Sequence, residues 1–97
     1  SIEMNTEDIA HFIQFLLDEY SVFYENLNEV KIHAETWTFH YDQNTWIYAQ
    51  SSDLYTQFHI LKNFEETIYP IRHIYDYSYI DLRTKDQVIV KEKYRKG

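Results

Sequence analysis

Three features of the sequence predict an α+β fold: a long N-terminal amphipathic helix packed on an antiparallel β-sheet of four or five strands. Apolar side chains recur at helical spacing from Ile9 to Leu27. From Val30 onward the apolar period becomes two, as in half-buried strands. Turn-forming clusters then divide the remainder into short segments. Its 97 residues, numbered 1–97, make a single domain near the lower end of what folds alone from one core.

The helix begins with good start signals. Asn5 is a suitable N-cap, Asp8 follows three residues later, and Glu7 and Asp8 occupy the first turn, where the helix dipole favours negative charge. Ile9, Phe12, Ile13, Leu16, Leu17, Tyr20, Phe23, Tyr24 and Leu27 cover one face roughly 140° wide, broad enough to lie on a core. The periodicity predicts a helix running to about Asn28, ~34 Å long. Phe15 and Val22 fall off that face. Seven residues apart, they are expected to lie nearly above each other among acidic groups, an arrangement that calls for a cover or a partner.

Val30, Ile32 and Ala34 alternate with polar residues, and the phase then flips to Trp37, Phe39 and Tyr41, which suggests a bulge near Glu35–Thr36. Asp42-Gln43-Asn44 is turn chemistry, with a return strand over Thr45–Gln50. Residues 54–61 satisfy both periods. Their shortness and aromatic content favour a third meander strand over a helix. Asn63 and Glu66 form a cap pair for a short helix that Pro70 would end. Residues 73–83 and 88–94 read as a last hairpin around Arg83–Gln87, with Tyr75, Tyr77 and Tyr79 on one face and Ile74, Ile80 and Leu82 on the other.

Composition favours contact over chemistry. Ten Tyr, six Phe and two Trp make the chain 19% aromatic, and the surplus is mostly Tyr, a rigid amphipathic residue suited to contact surfaces. With one Gly and no Cys there is no Gly-rich phosphate loop, thiol nucleophile or Cys-based zinc site. His11, His33, His40, His59 and His73 lack the close pairing of zinc ligands, so neither a metal nor any other cofactor is expected. Ser51 and Ser52 stand in no nucleophile elbow, and an enzyme is not expected. No apolar run approaches a membrane span, and the lack of cysteine fits an intracellular setting.

Charge is uneven. Residues 1–30 hold seven acids and no Lys or Arg, which equals the net charge of the whole chain, -7. Glu7, Asp18 and Glu25 would form a line along the helix, with Asp8 and Glu19 beside it. Such a line can imitate nucleic-acid phosphates in a basic cleft. Residues 83–97 are basic instead, with six Lys and Arg against two acids.

The dispersed tyrosines, Gly-poor strands and segments such as Ile74-Tyr75-Asp76-Tyr77-Ser78-Tyr79-Ile80 give the chain a compositional style. In that respect it resembles the small orphan proteins of filamentous viruses of crenarchaea. The likeness is one of style across the chain and carries no functional residue over. Ten Asn and Gln depart from the depletion sometimes seen in very hot organisms. The resemblance implies an unusual α+β fold, dimerisation and either a host-takeover or defence-blocking role or simply an uncharacterised viral protein. For a viral protein the location would be the host cytoplasm, where a host protein could be a partner.

The function expected is that of a non-enzymatic protein-interaction protein acting as a homodimer, with Phe15, Val22, Tyr75, Tyr77 and Tyr79 as interface candidates. An acidic inhibitor of a nucleic-acid-handling or defence complex, using Glu7, Asp8, Asp18, Glu19 and Glu25, is the alternative. Third is a single-stranded nucleic-acid binder stacking bases on the tyrosine row, disfavoured by the acidic balance.

Overall fold

The computed structural model describes residues 6–93, so the Asn5 cap and the end of the basic tail lie outside the described residues. The predicted class holds: helices cover a five-stranded sheet. Helix α1 (Thr6–Glu19) is followed by a five-residue helix α2 (Ser21–Glu25) and three strands, β1 (Leu27–His33), β2 (Thr36–Tyr41) and β3 (Thr45–Gln50). A 3-10 turn at Ser51–Asp53 leads into α3 (Leu54–Ile68). After a second 3-10 turn at Ile74–Asp76 come β4 (Tyr77–Asp81) and β5 (Ile89–Glu92). The strands lie side by side in chain order. All neighbours are antiparallel except β3 and β4, which are parallel and make the sheet mixed. Parallel neighbours need a long crossover, and α3 is that crossover.

The expected single helix is two. At Tyr20 the backbone leaves helical geometry (φ −152°, ψ 53°), and the chain bends before α2 begins. The bend is anchored on both sides of the residue. The Tyr20 ring is buried, and its hydroxyl donates to Glu65 Oε1 of α3 at 2.5 Å. Lys62 Nζ, also from α3, donates to the Glu19 carbonyl at 2.8 Å, capping an orphan acceptor at the end of α1. A long-range contact overrides the local periodicity.

Residues 54–61 form the start of α3, not a strand. Leu54, Phe58 and Leu61 are buried and Phe64 and Ile68 partly so, all on one helical face, while Tyr55, Thr56 and His59 are exposed. Asn63 and Glu66 therefore lie inside a helix rather than at its start. The helix ends two residues before Pro70, whose ring disfavours helical geometry just ahead of it. Nor is there a bulge at Glu35–Thr36. His33 pairs with Thr36, and Ala34–Glu35 is a two-residue turn with Ala34 at φ 53°. The phase flip seen in the sequence is the turn of a hairpin.

Paired residues project to the same face. Ile32, Trp37 and Ala49 make one cross-strand row, and Val30, Phe39, Ile47, Ile80 and Val90 the next. These rows form the inner face. Phe12 of α1 lies 5.6 Å from Trp37 and 5.1 Å from Phe58, and Phe58 lies 4.8 Å from Phe39. Phe23 of α2 stacks on Tyr41 at 4.8 Å and meets Phe58 at 5.1 Å. All three helices therefore seat rings on the same side of the sheet. Ile74, Ile80 and Leu82 are buried on that side as the sequence predicts.

Phe58 joins both other helices to the sheet. Phe58→Ala is expected to cost about 3–5 kcal/mol by cavity formation, whereas Thr56→Ala, on the exposed side of α3, should stay within about 0.5 kcal/mol. Urea unfolding of the two variants checks this. Equal costs would contradict the helical placement of residues 54–61.

Candidate interaction surfaces

With every helix on the inner side, the opposite face of the sheet stays open among the described residues. Its side chains follow from register. One row runs Glu29, His40, Trp46, Tyr79, Lys91 and the next Lys31, Thr38, Tyr48, Asp81, Ile89. The strands are ~4.8 Å apart, so rings on neighbouring strands touch. His40 stacks on Trp46 at 4.5 Å, and Tyr48 and Tyr79 sit 6.3 Å apart. These four aromatic side chains are half-buried, form two contacting pairs and carry no described helix above them.

Arg83 closes one side of this patch. Its guanidinium reaches both oxygens of Asp81, at 2.9 and 2.8 Å, and lies 5.2 Å from the centre of the Tyr48 ring. The Asp81 carboxyl is held below its ordinary value chiefly by the hydrogen bond from the Arg83 side chain. A fork-to-fork ion pair fixes the guanidinium plane, so the cation is presented over an aromatic ring in one orientation. Planar groups or apolar side chains can pack on such a face. Nothing in it resembles a nucleophile held by a base.

The expected tyrosine row does not form. A register shift between Tyr77 and Tyr79 makes Ser78 a bulge, which places consecutive odd-numbered tyrosines on opposite faces. Tyr77 is buried inward, 5.8 Å from Phe64, and Tyr79 faces outward. Tyr75 belongs to the 3-10 turn and stacks on His73 at 4.8 Å. The aromatic row that does exist, through His40, Trp46 and Tyr79, crosses three strands. Trp46 and Tyr48 alternating with buried Ile47 and Ala49 was the available signal for the two patch residues on β3. The parallel pairing that brings Tyr79 alongside has no local trace.

Phe15 and Val22 are likewise separated by the bend at Tyr20. Phe15 is covered by α3, packing edge-on against Tyr55 at 5.0 Å and His59 at 5.3 Å, while Val22 is exposed on α2. Glu7, Asp8, Asp18 and Glu19 are exposed on α1. The bend moves Glu25 onto α2 and breaks the expected acidic line.

A groove opens beside the bend. Glu19, Tyr20, Ser21 and Val22 form one wall and Lys62, Glu65, Glu66 and Tyr69 the other, around a cavity of about 480 Å³. Burial and the carboxylate of Glu65 push the Tyr20 phenol far above its ordinary value. The same two causes push Tyr41 up to about 12.

Among the described residues, no group of three or more His, Asp or Glu is placed to hold a metal ion, and no helix is long and apolar enough to cross a membrane. His73 and Asp76, close in sequence, serve the 3-10 turn, where the His73 amide donates to Asp76 Oδ2 at 2.8 Å. No protein-family model, curated protein or solved structure matches the chain. The likeness in composition to crenarchaeal viral proteins thus has no family or structural match beside it.

The raised phenols of Tyr20 and Tyr41 make alkaline stability a readout of the packing. A free tyrosine ionises near pH 10. Below that pH both folded and unfolded chains hold the protons, and the stabilisation is fully present. Above it the unfolded chain loses them first, so stability falls by up to about 1.4 kcal/mol per pH unit for each tyrosine. Tyr20→Phe should lower stability at pH 7 by about 1 kcal/mol and make the fall above pH 10 shallower. Chemical denaturation at intervals from pH 7 to 11 measures both, and an unchanged alkaline slope would refute the assignment.

Proposed function

We propose that this domain acts by binding protein chains, without chemistry of its own, and that the open face of the sheet is the contact. The observation that supports this is the aromatic patch of His40, Trp46, Tyr48 and Tyr79 on the side of the sheet that no described helix covers. Trp, Tyr and Arg dominate the centres of protein interfaces, and Arg83 is fixed at the rim of this one. Polar and charged neighbours (Thr38, Lys31, Glu29 and Lys91) frame the patch as an interface rim does.

A second copy is the simplest partner. Two open sheet faces can stack at ~10 Å, as the layers of a sandwich do, and bury both aromatic patches. The acidic-inhibitor reading keeps only the exposed carboxylates of α1 in its favour, since the bend removes Glu25 from their line.

Light scattering over an about hundredfold concentration range is expected to show a dimer that persists in high salt. Trp46→Glu should shift it to monomer while thermal stability of the monomer is retained, because the residue faces outward. A wild-type monomer throughout would exclude self-association through this face, and pull-down with the Trp46→Glu variant as control would then test other chains.

A further inference from the structure

The bend at Tyr20 creates a second surface, independent of the sheet face. In the groove between α2 and the C-terminal half of α3, the floor is the buried Tyr20 ring and the flanks are Val22 and Tyr69, which are 53% and 64% exposed. Other large apolar side chains are exposed elsewhere, but these two face each other across one cavity with a buried ring between them, which makes a contiguous apolar patch rather than scattered single residues. The rim is acidic. Glu19, Glu65 and Glu66 line it against one cation, and that cation, Lys62, is committed to the Glu19 carbonyl.

We propose that this groove docks a basic amphipathic segment of a partner protein. The choice of occupant rests on charge complementarity. An apolar ridge on the segment would meet Val22, Tyr20 and Tyr69, and flanking Lys or Arg side chains would meet Glu19 and Glu66 on opposite walls. Glu65 is half-occupied by the Tyr20 hydroxyl and holds the floor in place. A nucleic acid or an acidic lipid surface is repelled by the same rim. A helix laid in a groove is a recurrent way of reading such apolar anchors, and the carboxylates steer its approach and select its charge.

The test uses ¹⁵N-labelled protein and, as probe, a synthetic Leu/Lys helical peptide of about four turns, with a Leu/Glu peptide of equal length as its counterpart. In salt near the physiological level, amide shifts are expected to be confined to residues 19–22 and 62–69, and to appear with the basic peptide only. Glu19→Gln/Glu66→Gln should weaken binding about tenfold, and Val22→Ser should do the same without removing charge. Glu7→Gln/Glu35→Gln removes the same charge from exposed positions that do not line the groove and should leave affinity within about twofold. All these side chains are exposed, so the fold is expected to survive each change, and spectral dispersion verifies it. Three outcomes would overturn the proposal: no shifts at millimolar peptide, equal weakening by the two charge-removing pairs, or full binding by Val22→Ser.

Discussion

Phe58 sits where three layers of the chain meet. Its ring lies against Phe39 of the sheet, Phe12 of α1 and Phe23 of α2, all within 5.1 Å. Each such ring pair adds about 0.5–1.5 kcal/mol beyond the burial of its surface, and the cluster closes only if α3 runs across the inner face. That requirement has consequences for topology. A chain that leaves β3 and crosses the inner face as a helix returns along the same direction, so β4 must join β3 in parallel. The aromatic cluster thus sets the one parallel pair in the sheet. It also commits every described helix to one side and leaves the other side uncovered.

The same helix shapes the N-terminal segment. Lys62 and Glu65 of α3 take hold of Glu19 and Tyr20, and the helical dihedrals are given up at that point. A helix continued to Asn28 would have kept Leu27 out of its pairing with β2. The bend instead lets Phe23 stack on Tyr41 and delivers Leu27 to the first residue of β1, paired with Tyr41. Its by-product is the groove around Val22 and Tyr69. Structure and surface come from one contact.

The two open surfaces differ in character. The sheet face is aromatic and near balance in charge, with Lys31, Arg83 and Lys91 set against Glu29 and Asp81. The helix side carries the acids of α1 and the rim of the groove. In the proposed binding role, complementary charge would fix the approach of a partner while buried rings supply most of the affinity.

Short-range chemistry in the sequence determined much of this molecule. Alternation placed Trp37, Phe39 and Tyr41 on one face. Asp42-Gln43-Asn44 made the β2–β3 turn, Arg83–Gln87 joined the last two strands, and Ile74, Ile80 and Leu82 went to the core. Each of these depends on neighbours a few residues away. Tertiary structure alone decided the rest. Residues 54–61 fit both periods, and the helix is selected by the packing of Leu54, Phe58 and Leu61 on the core together. The bend at Tyr20 is made by residues some forty positions downstream in α3. Tyr75, Tyr77 and Tyr79 looked like one row because period two assumes an unbroken strand, and the bulge at Ser78 breaks it. The aromatic face needs Trp46 beside Tyr79, a register set across an entire crossover. Periodicity reports which way a side chain faces. It does not report which strand lies next to it, because that is settled by packing between segments far apart in the chain.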